Sequence, residues 1–459
     1  MMLDKILNRI DRNLQDAGKR LIDFLKIPSI STDIHYEPEI RKAARWLVDE
    51  LQDIGIPAEI RETGGYPVVF AATPARSGKK RVLFYGHYDV QPVDPLELWI
   101  NPPFDAKLGE LPDGRKAFLA RGASDDKGQI MTFIEALRAF KQEGGEFPVD
   151  VTFLIEGAEE DGSQFLPEYI AAHKEELKAD IAMVCDSSRW DEDTPCINTS
   201  LRGLLYREVI IRCANRDLHS GDYGGTAQNP IHILSQIIAD LHDENGHITI
   251  PGFYDGIEEP PAEILEQWKM IALNAEEFLG PVGLKDSCGE KDRLLIEQMQ
   301  SRPTCDANGI IGGYTGVGTK TVIPAEARSK ISFRLVVGQD ADKISTNFEH
   351  FVKERVPQDC SAEIIDYTGG DPVELPYDMP ELAVAGKALQ DEWKKEPVLV
   401  GVGGSIPVVS DFKNILGLNT LLVGFALSDD RIHSPNEKYD VKSFHKGMRS
   451  WARILAEFS

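Results

Sequence analysis

Residues 149–162 read VDVTFLIEGAEEDG, an apolar run followed at once by the adjacent acids Glu159, Glu160 and Asp161. The run VDVTFLIEG is typical of a buried β-strand. On an exposed loop, solvent would screen the repulsion between three neighbouring carboxylates. At a buried strand end the same repulsion needs a cation to offset it.

Two further apolar runs, RVLFYGHYDV at 81–90 and DIAMVCD at 180–186, have the same character. Helical patterns alternate with them, at Leu3–Leu25, Glu37–Ile54 and 126–144. This alternation predicts an α/β fold with a mostly parallel sheet and helices on both faces. Ligand sites in such sheets lie at the carboxyl ends of the strands. The acids that close these strand patterns are Asp89, Glu159, Glu160 and Asp186.

The pattern changes between about residue 200 and residue 370, where four strands and two helices indicate a separate α+β domain of ferredoxin-like type. Within it, residues 283–304 are interpreted only as a polar surface segment. The alternating pattern then returns. We therefore predict a catalytic domain in two parts, 1–198 and 373–459, with an inserted lid or dimerisation domain at 199–372.

The composition excludes some classes of function. The chain has 459 residues and a net charge of −25, which argues against binding to nucleic acid or to anionic membranes. The six cysteines are irregularly spaced, as is typical of reduced thiols in a cytoplasmic protein. The N-terminal segment is charged throughout and predicts an amphipathic helix rather than a secretory signal.

Five short motifs carry residues that bind metals. Mixed carboxylate and imidazole ligands suit zinc, cobalt or manganese, and their number suggests two ions that share a bridging carboxylate. In H-x-D at a strand end, both side chains point to one face, so Asp89 can orient a metal-binding His87. Each motif alone is more often structural, whereas the five together indicate a metal centre. The metal-ligand candidates are His87, Asp125, Glu160, Asp186 and His433.

Glu159 and Glu160 divide naturally between two tasks. Two consecutive residues do not easily reach the same metal. One can bind an ion while the other accepts a proton from the attacking water. A solvated acidic loop is the alternative for this motif taken alone.

Together these motifs resemble a di-zinc peptidase and deacylase family. It includes cytosolic nonspecific dipeptidase, carnosinase, glutamate carboxypeptidase, acetylornithine deacetylase and succinyl-diaminopimelate desuccinylase. The family pattern appears, in the family's order, as YGHYDVQP, ARGASDDKG, EGAEEDGS, CDS, DLHSGDYGG, GGSIP and HSPNE. The resemblance covers nearly the whole chain, and the spacing of DLHSGDYGG, TVIP, SFRLV and GGSIP looks most like the dipeptidase branch.

The resemblance implies two Zn²⁺ ions per subunit, with Mn²⁺ or Co²⁺ as alternatives. Asp125 would bridge them, and the bond from Asp125 to Asp126 would be a cis peptide. Glu159 would be the general base and Asp89 would support His87. One metal site would be completed by His87 and Asp186, and the other by Glu160 and His433.

The resemblance also implies residues of the inserted domain that contact substrate. His219 would stabilise the oxyanion in the site of the partner subunit, which makes the enzyme at least a homodimer. Arg334 would hold the substrate carboxylate. Smaller contributions to substrate binding would come from Thr321, Gly404 and Ser405. The dipeptidase branch carries an arginine and often an acid before GGSIP; here Val402 cannot pair with a free amino group, which leaves room for an N-acyl or hydrophobic first residue.

These residues favour a zinc-dependent dipeptidase or short-peptide carboxypeptidase. An N-acyl-amino-acid deacylase of the deacetylase or desuccinylase type is the alternative enzyme, because it shares every catalytic residue. A non-catalytic binding protein is the alternative outside enzymes. Such a protein should have lost metal ligands or the base, whereas this sequence retains all five metal-ligand candidates and Glu159.

Overall fold

The structure is a computed structural model that describes residues 2–367, 369–404 and 406–459. The chain divides into two compact units. Unit 1 comprises residues 1–199, 375–400 and 407–459, and unit 2 comprises residues 200–374 and 401–406.

The strands and helices are numbered in chain order over these described residues. The strands are β1 (Ala58–Arg61), β2 (Val68–Ala72), β3 (Arg81–His87), β4 (Lys107–Glu110), β5 (Lys116–Leu119), β6 (Asp150–Glu156), β7 (Ile181–Val184), β8 (Cys196–Leu201), β9 (Gly203–Arg212), β10 (Leu218–His219), β11 (Thr304–Gly312), β12 (Val322–Ile323), β13 (Glu326–Leu335), β14 (Ser361–Asp366), β15 (Val373–Glu374), β16 (Val398–Val402), β17 (Thr420–Leu422) and β18 (Lys438–Asp440). The helices are α1 (Met2–Leu25), α2 (Glu37–Asp53), α3 (Lys127–Gly144), α4 (Leu166–Ala172), α5 (Ser220–Tyr223), α6 (Pro230–Ala239), α7 (Ala262–Ile271), α8 (Ala275–Leu279), α9 (Leu295–Gln300), α10 (Ala341–Lys353), α11 (Pro380–Trp393), α12 (Pro407–Asp411) and α13 (Val441–Glu457).

The large sheet of unit 1 has a parallel centre and antiparallel edges. Over the described residues, seven of its nine strands follow the order β1-β2-β6-β3-β7-β17-β8. β3 runs parallel to both β6 and β7, and β17 runs parallel to β7, while β1, β2 and β8 pair in the antiparallel sense. Every residue of β6 and β7 is buried, as expected for central strands covered on both faces. The predicted α/β fold with a mostly parallel sheet is confirmed.

One hydrophobic core holds this sheet against its helices. Phe84 of β3 stacks on Phe133 of α3, with ring centroids 3.9 Å apart. Trp451 of α13 meets Phe133 edge-on at 5.2 Å. Because α3 starts directly after Asp126, this packing fixes where the acidic turn before it lies.

Unit 2 contains a four-stranded antiparallel sheet in the order β11-β13-β9-β14. With α6 between β9 and β11, and α10 between β13 and β14, the chain order is β-α-β-β-α-β. This is the predicted ferredoxin-like arrangement. Apolar side chains of both helices join those of β9 and β13 in a separate core.

The expectation that all cysteines are reduced is wrong for Cys213 and Cys360, which form a disulfide. Cys213 follows β9 and Cys360 precedes β14, and these strands are neighbours with Arg212 opposite Ser361. Strand pairing therefore brings together two cysteines 147 residues apart in sequence, a pairing that spacing alone does not reveal. Since disulfides are rare in the cytosol, the cysteines no longer support a cytoplasmic location.

Residues 401–406 differ from the predicted boundaries. The sequence pattern assigns them to the returning part of the first domain, whereas the structure groups them with unit 2. The backbone N–H of Gly401 donates to Gln300 Oε1 at 3.0 Å, and that of Arg202 donates to the carbonyl of Val402 at 3.3 Å. Among the helices of the described residues, none is sufficiently long and apolar to span a membrane.

Candidate metal centre

Parallel strands bring the acidic motifs of unit 1 to one edge of the sheet. Tyr85 of β3 lies opposite both Leu154 of β6 and Val184 of β7, so the three strands end side by side. His87 is the last residue of β3, and Asp186 lies two residues beyond β7. The acids after β6 lie on a single turn of 3-10 helix, Glu159–Asp161. The apolar patterns predict the three strands, and the parallel pairing of these strands brings the groups at their ends together.

Asp125 lies at the centre of this edge, and its two carboxylate oxygens face different groups. Oδ1 lies 3.0 Å from Nε2 of His87, which is also 3.8 Å from Asp186 Oδ2. Oδ2 lies 2.9 Å from Nε2 of His433, which is 3.3 Å from Glu160 Oε2. The peptide bond between Asp125 and Asp126 is cis, as predicted. The structure therefore brings together all five predicted metal ligands, which we call the strand-end cluster.

The strand-end cluster fits divalent metal ions in the chemistry of its donors. Ligand atoms held at about 2.0–2.2 Å from zinc lie about 3–4 Å apart, which is the range of the separations around Asp125. The cluster carries three carboxylates, and no lysine or arginine among the described residues of unit 1 forms an ion pair with them. Clustered acids that lack a lysine or arginine partner are stable when a metal supplies the positive charge.

The pKa values of this cluster show how strongly its charges interact. Although burial opposes it, hydrogen bonds with His433 and His87 hold the pKa of Asp125 well below its usual range. Burial, followed by the charge of Asp125, raises the pKa of Asp186 to about 7. Hydrogen bonds to Asp125 and Glu160 raise the pKa of His433 to about 10. In the metal-free protein, protonated histidines therefore balance part of the charge of the acids.

Asp89 has a broader role than orienting His87. Its Oδ1 lies 3.4 Å from His87 Nδ1. Its carboxylate also accepts the backbone N–H groups of Glu159, at 3.3 Å, and Glu160, at 3.0 Å. One buried carboxylate thus supports both the histidine after β3 and the acidic turn after β6.

Glu159 lies next to the strand-end cluster and is partly exposed. Burial raises its pKa to about 9; the charges of Asp186 and Glu160 add to this effect, and His87 opposes it. A nearby cation would lower this pKa again. The position is suited to proton transfer, because the carboxylate changes its protonation state in response to charge beside it.

The predicted substrate-contacting residues belong to unit 2. His219 ends β10, which pairs with β12 so that His219 lies opposite Val322, next to Thr321. The His219 side chain is 62% exposed, and its Nδ1 accepts the N–H of Gly221 at 3.0 Å. Arg334 lies on β13, opposite Leu204 of β9. Gly404 is in the segment 401–406, and Ser405 lies outside the described residues.

Sequence reasoning missed two buried acids that contact the turn before Asp125. Asp430 and Glu437 flank His433 on the same loop, and both are fully or almost fully buried. Glu437 is within the motif HSPNE, where an acid following a metal-ligating histidine could have drawn attention to it. For Asp430 the sequence offers no comparable signal.

A second group of potential ligands, His247, Glu290 and Asp292, lies in unit 2 and is called the loop cluster. His247 Nε2 lies 3.4 Å from Asp292 Oδ1. The buried Glu290, however, already accepts Arg302 Nε at 2.6 Å. Arginine therefore supplies the positive charge that a metal would otherwise provide.

Comparisons with known proteins agree with this geometry. Residues 83–457 match the model of peptidase family M20/M25/M40. The Cys-Gly metallodipeptidase dug1 of Schizosaccharomyces pombe is 31% identical over all of this chain and 99% of its own length. The human Beta-Ala-His dipeptidase is 27% identical over all of this chain and 93% of its own length.

Solved structures give the same result. An M20 family metallo-carboxypeptidase from Sulfolobus solfataricus superposes with a TM-score of 0.82 at 31% identity, over 96% of this chain and 99% of its own. The dipeptidase Dug1p of Saccharomyces cerevisiae gives 0.81 at 28% identity, over 99% and 98%. With its acids and histidines gathered at one sheet edge, the chain belongs to peptidase family M20/M25/M40, on the branch of the metallodipeptidases.

Proposed function

We propose that the protein hydrolyses the amide bond of dipeptides or short peptides, using two divalent metal ions and Glu159 as the general base. The observation that carries this proposal is the division of the Asp125 carboxylate between two sets of ligands. Oδ1 faces His87 and Asp186, while Oδ2 faces His433 and Glu160. Such a division suits one carboxylate that bridges two ions. Zinc matches the donor types, with manganese and cobalt as alternatives.

When bound, such ions lower the pKa of a coordinated water and polarise a substrate carbonyl. Glu159 accepts the proton of the attacking water and returns it to the leaving amine. A metal ion bound beside Glu159 would lower the pKa of this carboxyl from its raised value, which would make the carboxylate available as a base. The carboxylate of Asp89 accepts the backbone N–H of Glu159 and so keeps Glu159 in place.

His219 is proposed as the donor that stabilises the oxyanion. Its Nδ1 accepts a backbone N–H, so the neutral ring carries its proton on Nε2. That N–H is a preorganised donor on an exposed side chain. In the proposed enzyme it acts in the site of a partner subunit within a homodimer, and Arg334 binds the carboxylate of the substrate, with smaller contributions from Thr321, Gly404 and Ser405.

The proposal is tested by Glu159→Gln, with Asp161→Asn as the control, because Asp161 is an exposed acid on the same turn. Turnover of unblocked dipeptides, with zinc, manganese or cobalt added, should fall by about 10²–10⁴-fold in E159Q. Metal content should be unchanged in both variants. Unchanged turnover in E159Q would refute the role of this base, and hydrolysis of N-acetyl amino acids but not of free dipeptides would refute the substrate class.

A further inference from the structure

The loop that carries His433 is closed at its base by its own backbone. The N–H of Lys438 donates to the carbonyl of Asp430 at 3.0 Å, and that of Ser434 donates to Arg431 at 2.9 Å. Lys438 also begins β18, which pairs with β5. A metal-ligating residue on this loop is therefore held by a short, well-supported segment.

Glu437, at the end of this loop, binds the backbone of the turn that carries Asp125. Its Oε2 accepts the N–H of Gly122 at 2.9 Å and Nη1 of Arg121 at 2.8 Å. Its Oε1 accepts the N–H of Ser124 at 2.9 Å and that of Asp125 itself at 3.1 Å. The side chain is completely buried, so protein donors take up both oxygens.

Asp430, at the start of the loop, binds the same turn. Its Oδ2 accepts the hydroxyl of Ser124 at 2.8 Å and the N–H of Leu427 at 2.8 Å. Its Oδ1 lies 2.6 Å from Lys438 Nζ. Two buried acids of one loop thus attach the turn of Asp125 to the segment that presents His433.

We infer that Glu437, supported by Asp430, is a positioning residue that sets the place of Asp125 between the two metal sites. The inference rests on the proposed metal centre. Since Asp125 would serve both ions, a shift of its backbone weakens both, whereas loss of an ordinary ligand weakens chiefly one. The loop therefore contributes to metal binding twice, through the imidazole of His433 and through the backbone of a ligand more than 300 residues earlier in the chain.

Replacement of Glu437 by glutamine tests this role, because it keeps the size of the side chain and removes one of its two acceptor oxygens. Each of its oxygens faces two N–H donors, so the NH₂ group of a glutamine would meet donors whichever way it turned. Loss of a group that orients a metal ligand weakens metal binding by about 10- to 100-fold. Asp430→Asn should weaken metal binding by less than about 10-fold. Asp430 contacts the turn only through the hydroxyl of Ser124, which can accept as well as donate. Its other donors, the N–H of Leu427 and Nζ of Lys438, do not belong to that turn.

The experiment titrates metal-free native protein, E437Q, D430N and E392Q with Zn²⁺ against a chelating competitor. Glu392 is the matched control, since it is buried and accepts Nε of Arg449 and of Arg453, both at 2.8 Å, on α13 rather than on the turn. We expect two ions in the native protein, a weakening of both by about 10- to 100-fold in E437Q, and native affinity in E392Q. Circular dichroism verifies that each variant is folded.

Affinities in E437Q within twofold of native, or an equal weakening in E392Q, would overturn the inference. If E437Q does not fold, D430N decides: weaker binding than in E392Q supports the inference, and equal binding overturns it. Native protein that binds no zinc would overturn the proposed metal centre together with the inference. Two ions in the native protein with unchanged variants would overturn the positioning role alone.

Discussion

The strand-end cluster of unit 1 and the loop cluster of unit 2 contain the same kinds of side chain but differ in how their acids are neutralised. In the loop cluster, Glu290 pairs with Arg302, and Arg293 lies 3.8 Å away. In the strand-end cluster, the described part of unit 1 offers Asp125, Glu160 and Asp186 only imidazoles within ion-pair distance. The comparison teaches that grouped carboxylates and a histidine indicate a metal centre only where no guanidinium already balances them.

The largest expected effect tests this difference directly. Asp125→Asn removes the charge that both ligand sets would share in the proposed centre, where each ion would supply several kcal/mol of transition-state stabilisation. We expect both ions to be lost and kcat/KM to fall by about 10³-fold or more. The matched control is Asp292→Asn in the loop cluster, which should leave metal content and activity unchanged. Metal analysis and kinetics check both variants, and two ions retained in D125N would break the comparison.

A smaller effect is expected when arginine is removed from the loop cluster. Arg302→Met leaves the buried Glu290 without its main partner, and breaking such a buried pair costs about 3–5 kcal/mol. Urea denaturation should show this loss in the free energy of unfolding. Lys269→Met is the control, because its pair with Glu266 is exposed and contributes at most about 1 kcal/mol. Equal losses of free energy of unfolding in R302M and K269M would show that Arg302 is not the group that neutralises the buried Glu290.

The smallest effect concerns Glu156, a buried acid that has no predicted role as a metal ligand and forms no ion pair with the described residues. Both of its donors, the hydroxyls of Tyr85 and Ser163, bind the same oxygen, Oε1. Burial raises its pKa from 4.5 to about 7. The folded protein therefore holds this proton more tightly than the unfolded chain, so the associated stability is present below pH 4.5 and is lost as the pH rises to about 7.

Glu156→Gln keeps the acceptor Oε1 and removes the ionisation. In metal-free protein, the variant should gain up to about 3 kcal/mol over native in the free energy of unfolding between pH 5 and pH 8. Chemical denaturation at both pH values measures the gain. The exposed Glu175→Gln should show no such change with pH. If the difference in free energy of unfolding between E156Q and native protein were the same at pH 5 and pH 8, the raised pKa of Glu156 would be contradicted.

The sequence was informative where the chemistry follows local periodicity. His87, Asp89, Glu159 and Glu160 follow strands whose apolar patterns are plain, so parallel pairing places them at one edge. Asp430 and Glu437 were not predicted, because they act through the backbone of a turn more than 300 residues away. Nor did the polar segment 283–304 reveal that Glu290 is buried with Arg302, since both residue types are common on surfaces.

For the longer segment of unit 2, residues 200–374, the chain leaves and re-enters unit 1 at adjacent points. The N–H of Leu375 donates to the carbonyl of Thr199 at 2.7 Å, and Glu374 is paired with Ser200 at the two ends of the segment between them. A longer or shorter surface loop within residues 200–374 therefore does not require a different path of the chain between Thr199 and Leu375. The strand ends that bear the acids are thus held by contacts within unit 1 and not by the length of this segment.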